Sequence, residues 1–410
     1  MKAIKASRIV WRRSGLAVWA LVACLSLAFG PCPPARASAL LVSTVGAGDT
    51  ATNGTDIAEP VGPSGALFSN PAGLAVFDRT TAAGSFGVGF GQEQIRALGN
   101  PAYRPKRRIL TTIPDAAVAV PADERLTLGA GVSGSVGTMF NFNPDPGAGV
   151  TADFFSEVTI VNLPLAASYR IGPRLWVGAE LTPLFGYFRA HYPTPVVPVR
   201  FTLRGPGIQS MVGLTWRPAP DWSLGLGLRS PGMVWMRGSM PAPGAKRQDV
   251  RLDLEVPAQI SLGVTKRFGR RLSVSVAGRW TDSSSLGRSD VEFEATPAID
   301  TPFVPDALDE WRAAVGCRYR WSEALELRAG YAHATRIVGN RGISPLLFDA
   351  QDDRLGGGLA WTRGSWTVEA MVGYWFLRSR QVGPQEALIL PGRYRFGGGG
   401  IVMLGLVHRI

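Results

Sequence analysis

Beyond residue 37 no apolar run approaches the ~20 residues that a membrane-spanning helix needs, and long stretches of period-two alternation stand in its place. In 272–281, Leu272, Val274, Val276, Gly278 and Trp280 share one parity, and Ser273, Ser275, Ala277 and Arg279 the other. In 312–321, Ala313, Val315, Cys317, Tyr319 and Trp321 oppose Arg312, Gly316, Arg318 and Arg320. In 365–377, Trp366, Val368, Ala370, Val372, Tyr374 and Phe376 oppose Thr367, Glu369 and Gly373. Side chains alternate faces along a strand, so each segment is a strand with one apolar face and one polar or small face. A helical membrane protein is excluded.

A soluble sandwich alternates as well, but three features favour a barrel in a membrane. The segments are long, whereas ordinary strands run ~5–6 residues. Aromatics end the segments on the apolar parity (Tyr169, Trp222, Trp280, Tyr331, Trp366, Phe376), which suits interfacial girdles. The connections alternate in length. Short turns fall near 121–124, 172–174, 218–221, 269–271, 321–323 and 363–365. Long Pro/Gly/charge-rich loops fall near 91–113, 138–157, 191–207, 233–250, 282–309, 336–352 and 378–394. Turns on one side and loops on the other mark an outer-membrane barrel. The pattern predicts about fourteen strands, near 81–90, 114–121, 125–138, 158–170, 175–190, 207–217, 222–231, 251–267, 272–281, 310–320, 325–335, 353–362, 366–377 and 395–410. The expected fold is all-β: a transmembrane antiparallel up-and-down barrel (81–410). Closure satisfies every backbone N–H and C=O, as lipid requires.

The N-terminus reads as an export signal over 1–37. Lys2, Lys5, Arg8, Arg12 and Arg13 precede an apolar stretch from Ser14 to Gly30, and Ala37 and Ala39 are the expected cleavage positions. A membrane anchor would need a longer run, and Leu21-Val22-Ala23-Cys24 offers a lipoprotein-type alternative. Removing the signal would leave Cys317 without a partner for a disulfide. It would also lower the net charge: residues 1–37 hold six Lys/Arg and no acid, so 37 basic against 31 acidic residues give +6. An excess of that size calls for no nucleic-acid partner.

Residues 38–80 do not alternate. The stretch is small and polar, then becomes Gly65-Ala66-Leu67-Phe68-Ser69-Asn70-Pro71-Ala72-Gly73-Leu74. Pro71 withholds a backbone donor and Gly73 permits positive φ, so compact irregular structure with short helical pieces is expected. A fourteen-strand barrel is too wide for its own side chains to fill, and these residues are placed to enter it as a plug, or hatch; a loose periplasmic extension is the alternative.

The sequence from Gly65 to Arg79, just ahead of the first strand, resembles the hatch signature of the long-chain fatty-acid transporter family of outer-membrane barrels, which also includes aromatic-hydrocarbon importers. Residues 162–181, 256–280 and 309–334 resemble hairpins of that family, and Asp352-Asp353-Arg354 another recurrent element. The family usually ends in an aromatic residue; here the final residues are His408-Arg409-Ile410. The resemblance implies passive uptake of hydrophobic small molecules across the bacterial outer membrane. The hatch formed by Asn70, Pro71, Ala72 and Gly73 would gate it, and a kink in the third strand would release ligand sideways. That kink would fall at Gly131, Gly134 and Gly137, although small residues there could merely make room for the plug.

The implied partners are the outer-membrane lipid bilayer, a hydrophobic ligand and, during biogenesis, the barrel-assembly machinery, with the protein a monomer. No cofactor or metal is expected. His191, His333 and His408 have no nucleophile or metal ligand at motif spacing, and no Gly-x-Ser-x-Gly or His-Glu-x-x-His motif occurs. Arg279, Arg312, Arg318 and Arg328 lie on the lumen parity. They either pair with lumen acids and face water, or hold a ligand's anionic headgroup, as arginine suits. Two other functions stay open: a general diffusion porin with a water-filled lumen, and a lipid-modifying barrel enzyme.

Overall fold

The computed structural model describes residues 42–100, 102, 104, 106–142, 153–194, 197–242, 245–347, 349, 352–387 and 390–410. The expected export signal and its cleavage positions lie outside them. Among the described residues no helix is long and apolar enough to cross a membrane; the crossing is made by strands.

One antiparallel sheet closes on itself. Its wall begins with β1 (Thr81–Ala97), β2 (Lys106–Pro121) and β3 (Leu126–Phe142). The fourth span is in two pieces, β4 (Phe154–Asn162) and β5 (Leu165–Gly172), followed by β6 (Leu175–Tyr192) and β7 (Val199–Ala219). Two more broken spans follow, β8 (Trp222–Arg229) with β9 (Gly232–Ala242), and β10 (Ala245–Val256) with β11 (Gln259–Phe268). After β12 (Leu272–Thr281), the short β13 (Asp290–Phe293) and β14 (Thr301–Pro302) belong to the loop above the wall. The wall resumes with β15 (Glu310–Arg320), β16 (Leu325–Ala334), β17 (Asp352–Arg363) and β18 (Trp366–Leu377). After the short β19 (Arg380–Val382), β20 (Gly392–Arg409) pairs with β1 and closes the cylinder. Counting each broken span once gives the fourteen spans expected. At the seam, Ile410 N donates to Thr80 O at 2.8 Å.

Lipid-facing and lumen-facing residues alternate as the sequence predicts. Phe86, Leu128, Leu165, Trp216, Leu262, Val276, Trp311, Val372 and Leu404 are exposed on the outside. Tyr169, Trp222, Tyr331, Trp366 and Phe376 are exposed among them. Trp280 is half-buried, its Nε1 donating to Asp309 Oδ2 at 3.1 Å. The short turns fall at one end, as expected.

The strands run further toward the loop side than the alternation suggested, because polarity reverses once they leave the lipid. On β1 the outward residues change from Phe86, Val88 and Phe90 to Gln92, Gln94 and Arg96, while the inward side gains the fully buried Ile95. On β9 and β10 the inward residues are Val234, Met236, Met240, Val250, Leu252 and Leu254, all buried, and Arg237, Arg251 and Asp253 face out. Above the membrane the outside meets water, so apolar residues turn inward. They form a large core in the extracellular part of the barrel, joined by Phe140, Phe188, Phe201, Phe293 and Tyr394.

Pro164, Pro231 and Pro257 stand at the three breaks in the wall. Proline brings no N–H to a ladder. Gln209, buried in the lumen, bridges two of the breaks, its Nε2 donating to Ser230 O (2.9 Å) and Pro257 O (3.2 Å).

The ladder between β2 and β3 also ends early. It runs from Pro121↔Thr127 to Ala116↔Val132. Further out, β2 stays paired with β1 and β3 with β4, with a bulge between Gly134 and Val136. Residues 106–115 and 133–142 therefore face each other across the wall as two edges with no pairing between them among the described residues. The bulge changes which parity faces in, from Thr127 to Phe140 and Phe142.

Candidate functional site

Residues 43–74 are largely buried inside this cylinder. Short helices at Ala47–Ala51 and Pro63–Ser69 and a 3₁₀ turn at Pro71–Val76 make a compact body. Asn70 is its hub. Extended backbone at Asn70 separates the second helix from the 3₁₀ turn, and its Oδ1 accepts from Ala72 N at 3.1 Å as an N-cap. Its Nδ2 donates to Ile57 O (3.0 Å) within the plug, and to Leu214 O (3.2 Å) and Thr215 Oγ1 (3.0 Å) on the wall. Pro71 starts the turn, where its missing N–H is harmless. Ala72 O accepts from Ser168 Oγ at 3.0 Å. A Cβ on Gly73 would lie 2.8 Å from Pro60 Cγ, so only glycine fits there. The four residues of the expected hatch motif thus act as one unit.

The wall receives this body on glycines. A Cβ at Gly178 would strike the Pro71–Ala72 backbone, at Gly213 the Asn70 side chain, and at Gly227 the carbonyl of Ser69. At Gly225 it would sit 2.6 Å from Ile57 O, and at Gly356 2.8 Å from Ala51 O. Gly330 meets Thr52 in the same way. From β6 round to β17, the plug's main chain lies directly against the strands. Sequence reasoning missed this ring. Its signal was glycine recurring on the lumen parity, as in Gly225-Leu226-Gly227, and only the third strand was read that way. There the structure divides the glycines: Gly129 and Gly131 lie against Leu67 of the plug, whereas a Cβ at Gly134 would have only Ile160 O, 3.9 Å away, within contact.

Charge also fixes the plug to the wall. Glu59 pairs with Arg267 and with Arg318 (3.3 Å) and accepts from Ser223 Oγ at 2.5 Å. Asp56 lies 3.6 Å from Arg318. Asn53 Nδ2 donates to Gly330 O at 2.8 Å. Two buried arginines flank the Phe68 ring: Arg229 donates to Phe68 O (2.7 Å), and Arg279 donates to Ser43 O (2.7 Å) and Ser261 Oγ (3.1 Å). Of the four arginines singled out in the sequence, Arg279 and Arg318 hold the plug, and Arg328 pairs with Glu326 and Glu369. Arg312 is buried, and neither terminal nitrogen is bonded to an acceptor among the described residues.

Two cavities lie on the extracellular side of this plug and along it. The outer one, about 310 Å³, sits among the loops and is walled by Val158, Phe188, Tyr192, Phe201, Phe303 and Leu347. Phe188 packs edge-on against Phe201 (5.2 Å between centroids) and Phe303 (5.3 Å). The inner one, about 100 Å³, lies between the start of the plug (Val42, Ser43) and Ile113, Met371, Trp375, Ile401 and Met403 of the wall.

Asp349 ties the loop beside the outer cavity. Its Oδ2 accepts from Ile337 N (2.6 Å) and Val338 N (3.0 Å), yet burial pushes its carboxyl up from 3.8 to about 7. As pH rises from 3.8 toward 7, an opened loop gives up this proton and the closed loop keeps it. Closure therefore weakens through that window and levels off above it. Asn can accept the same two hydrogen bonds without ionising. Protease cutting of loop 335–351 in wild type, relative to Asp349→Asn, is expected to rise severalfold between about pH 5 and about pH 8. A ratio independent of pH would show that Asp349 is ionised throughout.

A closed fourteen-span barrel with an internal plug and apolar cavities on its outer side is the architecture of a plugged outer-membrane barrel. Residues 208–389 match the family model described as "Outer membrane protein transport protein (OMPP1/FadL/TodX)". The structure is similar to that of a Pseudomonas aeruginosa FadL homologue, at 16% identity and a TM-score of 0.76 over 90% of this chain and 99% of that one. It is similar to the Pseudomonas putida toluene transporter TodX, at 18% identity and 0.70 over 91% and 100% of the two chains. For the Ralstonia pickettii toluene transporter TbuX the values are 18% and 0.67 over 90% and 99%. No curated protein matches the sequence. The fold is that of the FadL/TodX barrels of the outer membrane, and the family resemblance read from the sequence is matched over residues 208–389.

Proposed function

We propose that the protein is a passive channel for hydrophobic small molecules, long-chain fatty acids or related hydrocarbons, across the outer membrane. The observation that carries this reading is the aromatic cavity on the extracellular side of a plugged lumen. A water-filled pore would have no use for a buried apolar core at its mouth, and this weighs against a general porin. TodX and TbuX, whose structures are similar, are described as toluene transporters. Ligand would be captured at the outer cavity, pass to the one beside the plug, and leave when residues 42–76 shift. Arg312 is the arginine we assign to a ligand's anionic group, since the other three singled out already have partners.

The unpaired edges of β2 and β3 suit lateral release. Gly134→Val should fold, because a Cβ there meets only Ile160 O, 3.9 Å away, among the described residues, and should reduce uptake severalfold by filling the gap. Uptake of a labelled fatty acid and of toluene into cells lacking other hydrophobic channels would measure it. Uptake equal to wild type would remove the lateral route. Uptake no faster than through a barrel with no resemblance to this one would remove the transport reading itself.

A further inference from the structure

The inner cavity is lined from both sides of the wall. Met371, Ile401, Met403, Val42 and Asn53 face it from the lumen. Phe90, Leu355 and Tyr374 also line it, yet these side chains are 50%, 49% and 44% exposed on the lipid side. Between the two sets the ladder is interrupted. Pairing of β18 with β20 stops at Trp375↔Gly399, and it resumes only with β19 at Arg380↔Tyr394. On its other edge β20 slips register against β1 between Gly91 and Glu93. Gly398, with φ +78°, lies in the interrupted stretch, where an L side chain is strained.

Two aromatic side chains close this place. A Cβ at Gly400 would lie 2.6 Å from the tip of the Phe90 ring, and one at Gly398 would strike the Tyr374 hydroxyl. The break sits at the outer edge of the lipid-facing band: Phe90 is followed outward by Gln92 and Arg96, and Phe376 by Arg378. Hydrogen-bonded wall opens only by unpairing strands, whereas exposed side chains change rotamer in picoseconds to nanoseconds.

We propose that the inner cavity opens directly into the outer leaflet between β18 and β20, behind Phe90 and Tyr374, and that uncharged apolar molecules dissolved in the membrane reach the plug there without passing the extracellular loops. This rests on reading the cavity as a ligand site. It adds a second point of exchange with lipid, separate from the β2/β3 edges.

Labelling of a cysteine inside the cavity tests it without measuring transport. Met371→Cys, with Ile401→Cys as a second reporter should the first fail to fold, is placed in the full chain in lipid vesicles. Modification at that position by pyrene maleimide dissolved in the bilayer, and by a charged maleimide in water, is read by peptide mass spectrometry. The membrane-dissolved reagent should react and the charged one should not. Adding Phe90→Ala and Tyr374→Ala should accelerate the reaction severalfold, and adding Gly134→Val should leave it unchanged. A rate indifferent to Phe90 and Tyr374, or one suppressed by Gly134→Val, overturns the proposal in favour of entry between β2 and β3. Normal labelling with failed uptake would overturn the transport reading alone.

Discussion

Replacing Asn70 with leucine should turn a nearly silent barrel into a conducting one. Asn70 is 1% exposed and makes four hydrogen bonds, two within the plug and two to β7. Leucine has the same branched shape but cannot bond, so Ile57 O, Leu214 O, Thr215 Oγ1 and Ala72 N all lose a partner in a buried place. Each such loss costs about 1–3 kcal/mol. The short helices of the plug, five and seven residues, have little stability of their own. The barrel ladders do not depend on Asn70, so the wall should still close. Single-channel conductance of the refolded protein in a planar bilayer is the measurement, with a deletion of residues 40–75 as the fully open reference. Conductance of the variant should approach that of the deletion. Equal, steady conductance in wild type, variant and deletion would mean that these residues block nothing, and the porin reading would replace ours.

Gly227→Val should expel the plug from the opposite direction, by filling the wall rather than weakening the gate. Its side chain would enter the space of Ser69 O, a backbone atom held by the helix at Pro63–Ser69. Overpacking against yielding side chains costs about 1–3 kcal/mol, and main chain gives way less readily. Val at this lumen position suits a strand, so the barrel itself should tolerate it. We expect heat-resistant, folded barrels with raised conductance and faster protease cutting in 42–80. Gly134→Val, which adds bulk beside open space, is the control and should show neither. A silent, protease-resistant Gly227→Val protein would mean that the plug adjusts to its seat instead of being fitted to it.

The barrel was readable in the sequence where lipid imposes its alternation. Leu272 to Thr281 and Trp366 to Leu377 are strands with the boundaries the pattern suggested, because outside and inside differ there in polarity at every residue. It was unreadable where the contrast changes sign: Gly91–Ala97 and Met236–Met240 looked like loop because polar residues are outside and apolar ones inside. The Asn70–Gly73 turn was legible through its family resemblance. The arginines were legible as lumen residues that pair with lumen acids, as Arg328 does with Glu326 and Glu369, but their plug partners were not, since Glu59 and Asp56 reach them across more than two hundred residues of chain. The glycine ring was hidden for a simpler reason: a glycine that must be small and one that merely happens to be small look alike until something is seen resting on it.

The seam between β1 and β20 has a consequence for how such a molecule is made. The amide of Ile410 bonds to Thr80, the residue that joins the plug to the first strand. The seats for the plug are scattered from β3 to β17, so they exist together only once nearly the whole wall is present. The cylinder is thus sealed at the place where the stopper's own tether enters the wall. On this plan the stopper is already part of the chain before the hole it fills exists, and it finds its full seat only as the last strands arrive.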